Sequence, residues 1–162
     1  MIPPPVALRR TAIAVSLCIT GLLAISERTA AAPGKPFSVI GTGRIVFQIP
    51  CSETEICQEA HIEGQATRIG QFTGVLFERV DLTTFTYTGT GTFTTPNGDS
   101  LSTTYTGIVV PPDAQGVSSF LEDHEIVAGT GKYDGVEGEL QVSGTADANL
   151  HLNITGTGTL SK

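Results

Sequence analysis

From residue 84 to residue 95 the chain reads TFTYTGTGTFTT, with threonine at every even position and a ring or a glycine at every odd position as far as 93. A helix repeats its faces about every 3.6 residues, so a strict period of two belongs to a strand, with one set of side chains on each face. The same alternation runs through the chain after residue 36, and no window longer than a few residues carries helical spacing. Eight strands are predicted, at roughly 38–49, 58–66, 69–80, 84–95, 100–110, 117–128, 136–145 and 149–160. The connections are short except for those from Ile49 to Ile56 and from Pro111 to Gly116. Strands joined in order by tight turns form an antiparallel meander, and closing it leaves no exposed edge. The predicted fold is all-β: an eight-stranded antiparallel up-and-down barrel.

The faces can be read from the same rhythm. Leu150, Leu152, Ile154, Gly156, Gly158 and Leu160 share one side of the last strand; Val136, Gly138, Leu140, Val142 and Gly144 share one side of the seventh. Val39, Gly41, Gly43, Ile45, Phe47 and Ile49 are expected to line the core together in the first. Thr95-Pro96-Asn97-Gly98-Asp99 reads as a three-residue hairpin loop, with proline at the first turn position and Gly98 in the left-handed one. Pairing Thr95 with Asp99 sets Phe93 opposite Leu101, Gly89 opposite Tyr105 and Tyr87 opposite Gly107. Each tyrosine ring then covers a glycine that leaves room for it. The opposite face becomes a hydroxyl-covered exterior. Such threonine rows can order ice, but on a twisted sheet they read as ordinary exposed strand residues.

The N-terminal residues carry a different signal. Arg9 and Arg10 precede an uncharged apolar run from Thr11 to Ile25, and Thr29-Ala30-Ala31 offers small residues before a cleavage point. Residues 1–31 read as a secretory signal peptide and 32–162 as a single barrel domain. The run is shorter than the roughly 20 residues a membrane span needs. Removing Arg9, Arg10, Arg28 and Glu27 with that segment leaves six basic and 15 acidic residues, a net of −9. That balance argues against nucleic acid and against an anionic membrane surface as partners. Two cysteines remain, Cys51 and Cys57 in CSETEIC, and in an exported chain they are expected to form a disulfide. The implied location is secreted, either extracellular or periplasmic.

Residues 126–144, IVAGTGKYDGVEGELQVSG, resemble the glycine-rich G-[GS]-[TS]-G-x-[FY]-x-G-x-x-G region of the allene oxide cyclase and dirigent barrels. Gly129, Thr130, Gly131, Tyr133, Gly135 and Gly138 match, and Ala128 stands where many members have glycine. Residues 64–74, GQATRIGQFTG, resemble the G-x-A-T-H-L-G-x-F-T pattern of small bacterial secreted proteins with that barrel, with Arg68 in place of histidine. The resemblance implies the same eight-stranded barrel; the residues themselves let Tyr133 fold over one end before the seventh strand begins. It transfers no catalytic residue to this chain. Plant allene oxide cyclases close an unstable epoxide to a cyclopentenone, and dirigent proteins orient phenoxy radicals.

Among candidate chemical groups, Glu78 is the foremost catalytic one. If Leu82-Thr83 is a two-residue turn, Val80 faces Phe85, Glu78 faces Tyr87, and Glu78 points inward with Phe72, Gly74 and Leu76; a register slip would send it outward. A carboxyl in an apolar lumen has a raised pKa and can act as an acid. Glu59-x-His61-x-Glu63, and Glu122 with His124, each place histidine beside carboxylate on one strand face. Two such strands would also offer ligands to zinc. The plainer reading is a wet outer face, with charges alternating with Ala60, Ile62 and Ile126. No metal and no cofactor is expected. The leading functional expectation is a non-catalytic binder of a small apolar molecule, with Phe47, Phe72, Tyr87, Phe93 and Tyr105 as ligand-binding residues, or a structural extracellular module with a filled lumen. The rival is a cyclase or isomerase acting on a reactive apolar substrate within the lumen. Ile69, Val75 and Phe77 on the third strand admit a homo-oligomer.

Overall fold

The computed structural model describes residues 34–162. The signal-peptide reading of residues 1–31 lies outside the described residues. Eight strands follow in order: β1 Lys35–Pro50, β2 Glu55–Ala66, β3 Gly70–Asp81, β4 Thr86–Thr94, β5 Ser100–Val110, β6 Ser118–Gly129, β7 Glu137–Ala146 and β8 His151–Ser161. Each pairs antiparallel with the next, and β8 pairs with β1, so the sheet closes into the expected barrel. Among the described residues, no helix is long and apolar enough to cross a membrane.

The hairpin between β4 and β5 forms as the turn residues require. Gly98 has φ of 87°, its N–H donates to Thr95 O at 2.9 Å, and Thr95 N–H donates to Asp99 O at 2.9 Å. That turn sets the predicted register, with Phe93 opposite Leu101, Gly89 opposite Tyr105 and Tyr87 opposite Gly107. Thr88 and Thr90 meet Thr106 and Thr104 on the outer face.

Two local departures from simple alternation matter. The first is in β1, where a bulge between Ile45 and Phe47 inserts one extra residue against β2. A one-residue insertion exchanges the faces beyond it. Phe47 therefore pairs with outward-facing Glu59 and is 53% exposed, while Gln48 turns inward opposite Gln58. The expected lumenal position of Phe47 and Ile49 is thus corrected, since both lie on the outer wall. The second departure is the β3–β4 connection. It occupies residues 82–85 rather than two residues, because Asp81 Oδ1 accepts hydrogen bonds from the N–H groups of Thr83 (2.7 Å) and Thr84 (3.2 Å) and Phe85 adopts φ of 56°. Val80 consequently pairs with Tyr87 and Glu78 with Gly89. A slip of two keeps the parity, so Glu78 still faces inward.

The barrel has unlike ends. At one, the short 3₁₀ turn Gly131–Tyr133 folds Tyr133 over the interior, and its hydroxyl donates to Ile69 O at 3.1 Å. At the other lie the connections 51–54, 82–85, 111–117 and 147–150. Cys51 and Cys57 form a disulfide there, across the first of these connections.

Candidate functional site

The lumen is not filled. A cavity of about 320 Å³ is lined chiefly by aliphatic and aromatic side chains, including Phe72, Leu76, Phe93, Val142 and Leu152. It reaches the end formed by the β5–β6 and β7–β8 connections, where Pro112, Gly116 and Ala148 border it. This volume is at the lower end of small-molecule sites. At about 30 Å³ for each water-sized volume, it holds roughly ten non-hydrogen atoms.

Deep in the cavity a cluster of polar side chains interrupts this lining, and the alternation of β4 and β5 builds it. Tyr87 on β4 lies across Gly107, its partner on β5, and reaches the strand beyond: its hydroxyl donates to Glu122 Oε1 on β6 at 2.8 Å. Tyr105 on β5 crosses the other way, over Gly89 on β4, and its hydroxyl donates to Glu78 Oε1 on β3 at 2.9 Å. A β-carbon on either glycine would collide with the phenol ring above it. The rings meet edge to face, 6.3 Å apart at 82°. Glycine therefore does more than make space in this pattern, because it lets each tyrosine span two strands and hold a carboxyl.

The cluster extends on both sides. Gln58 Nε2 donates to Glu78 Oε2, and Gln48 Nε2 donates to Gln58 Oε1 at 2.9 Å. On β6, His124 Nε2 lies 2.9 Å from Glu122 Oε2, and Nδ1 lies 3.2 Å from Thr103 Oγ1. The imidazole stacks on Tyr105, with centroids 4.3 Å apart. Glu122 and His124 are each 5% exposed, so theirs is a buried pair. Burial pushes the Glu78 pKa above the ordinary carboxyl value, and the charge of Glu122 pushes it further; hydrogen bonds from Gln58 and Tyr105 and the proximity of His124 oppose this. Burial, reinforced by the neighbouring carboxylates, also raises both tyrosines well beyond the ordinary phenol range, so they remain hydrogen-bond donors.

Of the expected ligand-binding residues, Phe72, Tyr87 and Phe93 line the cavity. Tyr105 is buried behind it, between Glu78 and His124. Phe47 is outside. Glu59 and His61 sit on the wet face of β2 as a partly exposed pair, 2.7 Å apart. For β6 the wet-face reading is corrected. Ile126 shares the face of Glu122 and His124 rather than alternating with them, and all three are buried. The two histidine–carboxylate sets therefore lie on opposite sides of the wall. Among the described residues, no three histidine, cysteine or acidic side chains converge as metal ligands. The missed signal was the shared parity of Phe120, Glu122, His124 and Ile126. Comparison with known protein families and with curated proteins returns no match.

Proposed function

We propose that this is an exported barrel that admits a small, largely apolar molecule through its open end and anchors that molecule's polar group on the Glu78–Tyr105–Tyr87–Glu122–His124 cluster. The carrying observation is the cavity itself: a barrel serving only as a structural module has no need of a space running from one end to a set of buried polar groups. The Cys51–Cys57 disulfide supports an oxidising compartment, as does the N-terminal sequence. Native mass spectrometry of protein purified from its own host tests the reading. The expected result is a co-purifying small molecule that disappears in Leu152→Trp, where an indole occupies the cavity. A molecule retained by a folded Leu152→Trp variant would place binding elsewhere.

A second reading has its own support. Glu78 is a carboxyl disposed to hold its proton, and the Glu122–His124 pair in the same cluster is a candidate proton acceptor. An acid and a base beside one cavity suffice for an isomerisation or cyclisation that moves a proton without redox chemistry. The resemblance of residues 126–144 to the allene oxide cyclase and dirigent barrels points the same way. The test is incubation with cyclohexenone in deuterated water. Catalysis predicts deuterium entering the carbon next to the carbonyl faster with wild type than with Glu78→Gln. Equal rates leave the barrel a binder.

A further inference from the structure

The charges around the lumen are one-sided. The residues lining the cavity include Glu78, Glu122, His124 and Asp147, but no lysine or arginine. Asp147 is at the open end, where Oδ1 accepts hydrogen bonds from the backbone N–H groups of Asn149 and His151 and Oδ2 lies 3.2 Å from Nδ1 of the His151 imidazole. Deeper in, two carboxyls face one imidazole, and that imidazole is engaged with Glu122. Both groups that donate to Glu78 are neutral, the Gln58 amide and the Tyr105 phenol. Glu78 is therefore the lumenal carboxyl with no cation bound to it.

These facts discriminate between polar groups that a ligand could bring. A carboxylate or phosphate would add negative charge beside two carboxyls in a low-dielectric space, where like charges repel strongly. A neutral carbonyl would find the phenol hydroxyls and the Gln58 amide already donating, and a neutral hydroxyl could donate to Glu78 but would bring no counter-charge. A cation would supply the counter-charge that Glu78 lacks, beside rings whose faces attract positive charge. The approach favours the same sign. Each connection at the open end carries or adjoins an acid: Glu53, Asp81, Asp113 and Asp147. Arg79, the nearby base on β3, faces outward, 3.7 Å from Glu55. Clefts lined by one sign of charge concentrate the opposite ion.

Building on the reading that the lumen admits a small molecule, we propose that the ligand is a protonated amine on an apolar body, its ammonium group seated at Glu78 against the tyrosine rings and its body in the aliphatic part of the cavity. The body is limited to roughly the ten non-hydrogen atoms that the volume allows.

Calorimetric titration with n-octylamine, n-octanol and octanoate, which share a chain length and differ in head group, tests this. The expected order at neutral pH is the amine about tenfold or more tighter than the alcohol, with octanoate weakest. Glu78→Gln is expected to abolish the amine's advantage, so that amine and alcohol bind that variant within about threefold of each other. A pH series on wild type needs no variant. The amine stays protonated below pH of about 10, so its pairing depends on Glu78. The groups around that carboxyl are Gln48 from β1, Gln58 from β2, Tyr87 from β4, Tyr105 from β5, and Glu122 and His124 from β6. Ionising Glu78 to receive the ammonium expels a proton at low pH, so amine affinity falls as pH falls, by up to about tenfold per unit. The alcohol has no such dependence. Octanol binding as tightly as octylamine, or octanoate matching the amine, would overturn the assignment while leaving lumenal binding intact. If none of the three binds, both proposals fall together.

Discussion

Gly89 and Gly107 govern how far the two phenols reach. Alanine at either position would put a methyl group into the ring of Tyr105 or Tyr87 and push that tyrosine away from its carboxyl. Overpacking of this kind costs about 1–3 kcal/mol. Urea unfolding of Gly89→Ala and Gly107→Ala should show losses of that order, against less than about 0.5 kcal/mol for outward-facing Thr90→Ala. Glu78 makes a prediction of opposite character. Its pKa in the folded protein lies above the unfolded value of about 4.5, so the folded state holds the extra proton. The contribution of Glu78 to stability is then fullest below that value and is lost as pH rises through the folded pKa, by about 1.4 kcal/mol for each unit of the shift. Denaturation across the acid-to-neutral range should show wild type losing stability relative to Glu78→Gln as pH rises. Identical pH profiles would mean that Glu78 is solvated. The tyrosine–glycine pairs were legible because one turn, Pro96-Asn97-Gly98, sets their register. Glu122 and His124 were misread because β6 carries charges on both faces, Asp123 and Glu125 outward against Glu122 and His124 inward. Charge alone does not say which face is wet when buried partners satisfy it.

Most strands followed from alternation and turn chemistry, and the breaks in alternation were what escaped the reading. The β1 bulge leaves no composition signal, because Val46, Phe47 and Ile49 are as apolar as the inward Ile45. It has an energetic consequence. Ile45→Ala removes buried side chain and should cost about 2 kcal/mol or more, whereas Phe47→Ala, despite the larger deletion, should cost under about 0.5 kcal/mol. A reversed order in thermal unfolding would return Phe47 to the lumen. The β3–β4 connection is the complementary case. Its length was misjudged by two residues through the hydrogen bonds of Asp81 and the left-handed Phe85, yet the inward placement of Glu78 survived, because strand faces repeat every second residue. The element boundary was less legible than the face.

Closure of the sheet converts a pattern of alternating residues into an inside and an outside. Eight strands enclose a narrow interior, and side chains commonly fill barrels of that size. The small residues in this wall, and the tyrosines drawn aside to their carboxyls, leave the cavity open between the Tyr133 end and the connections opposite. No sequence pattern reports whether such an interior is full, because that depends on the sum of side-chain volumes from every strand. Methyl-detected NMR of the barrel titrated with n-octanol examines the interior without any variant. Intermolecular contacts from the alcohol to the methyl groups of Leu76, Val142, Leu152 and Ile154, with none to outward-facing Ile108 and Val127, are the result predicted by an accessible lumen. Contacts confined to Ile108, Val127 and other outer methyl groups, or none at saturating alcohol, would contradict it.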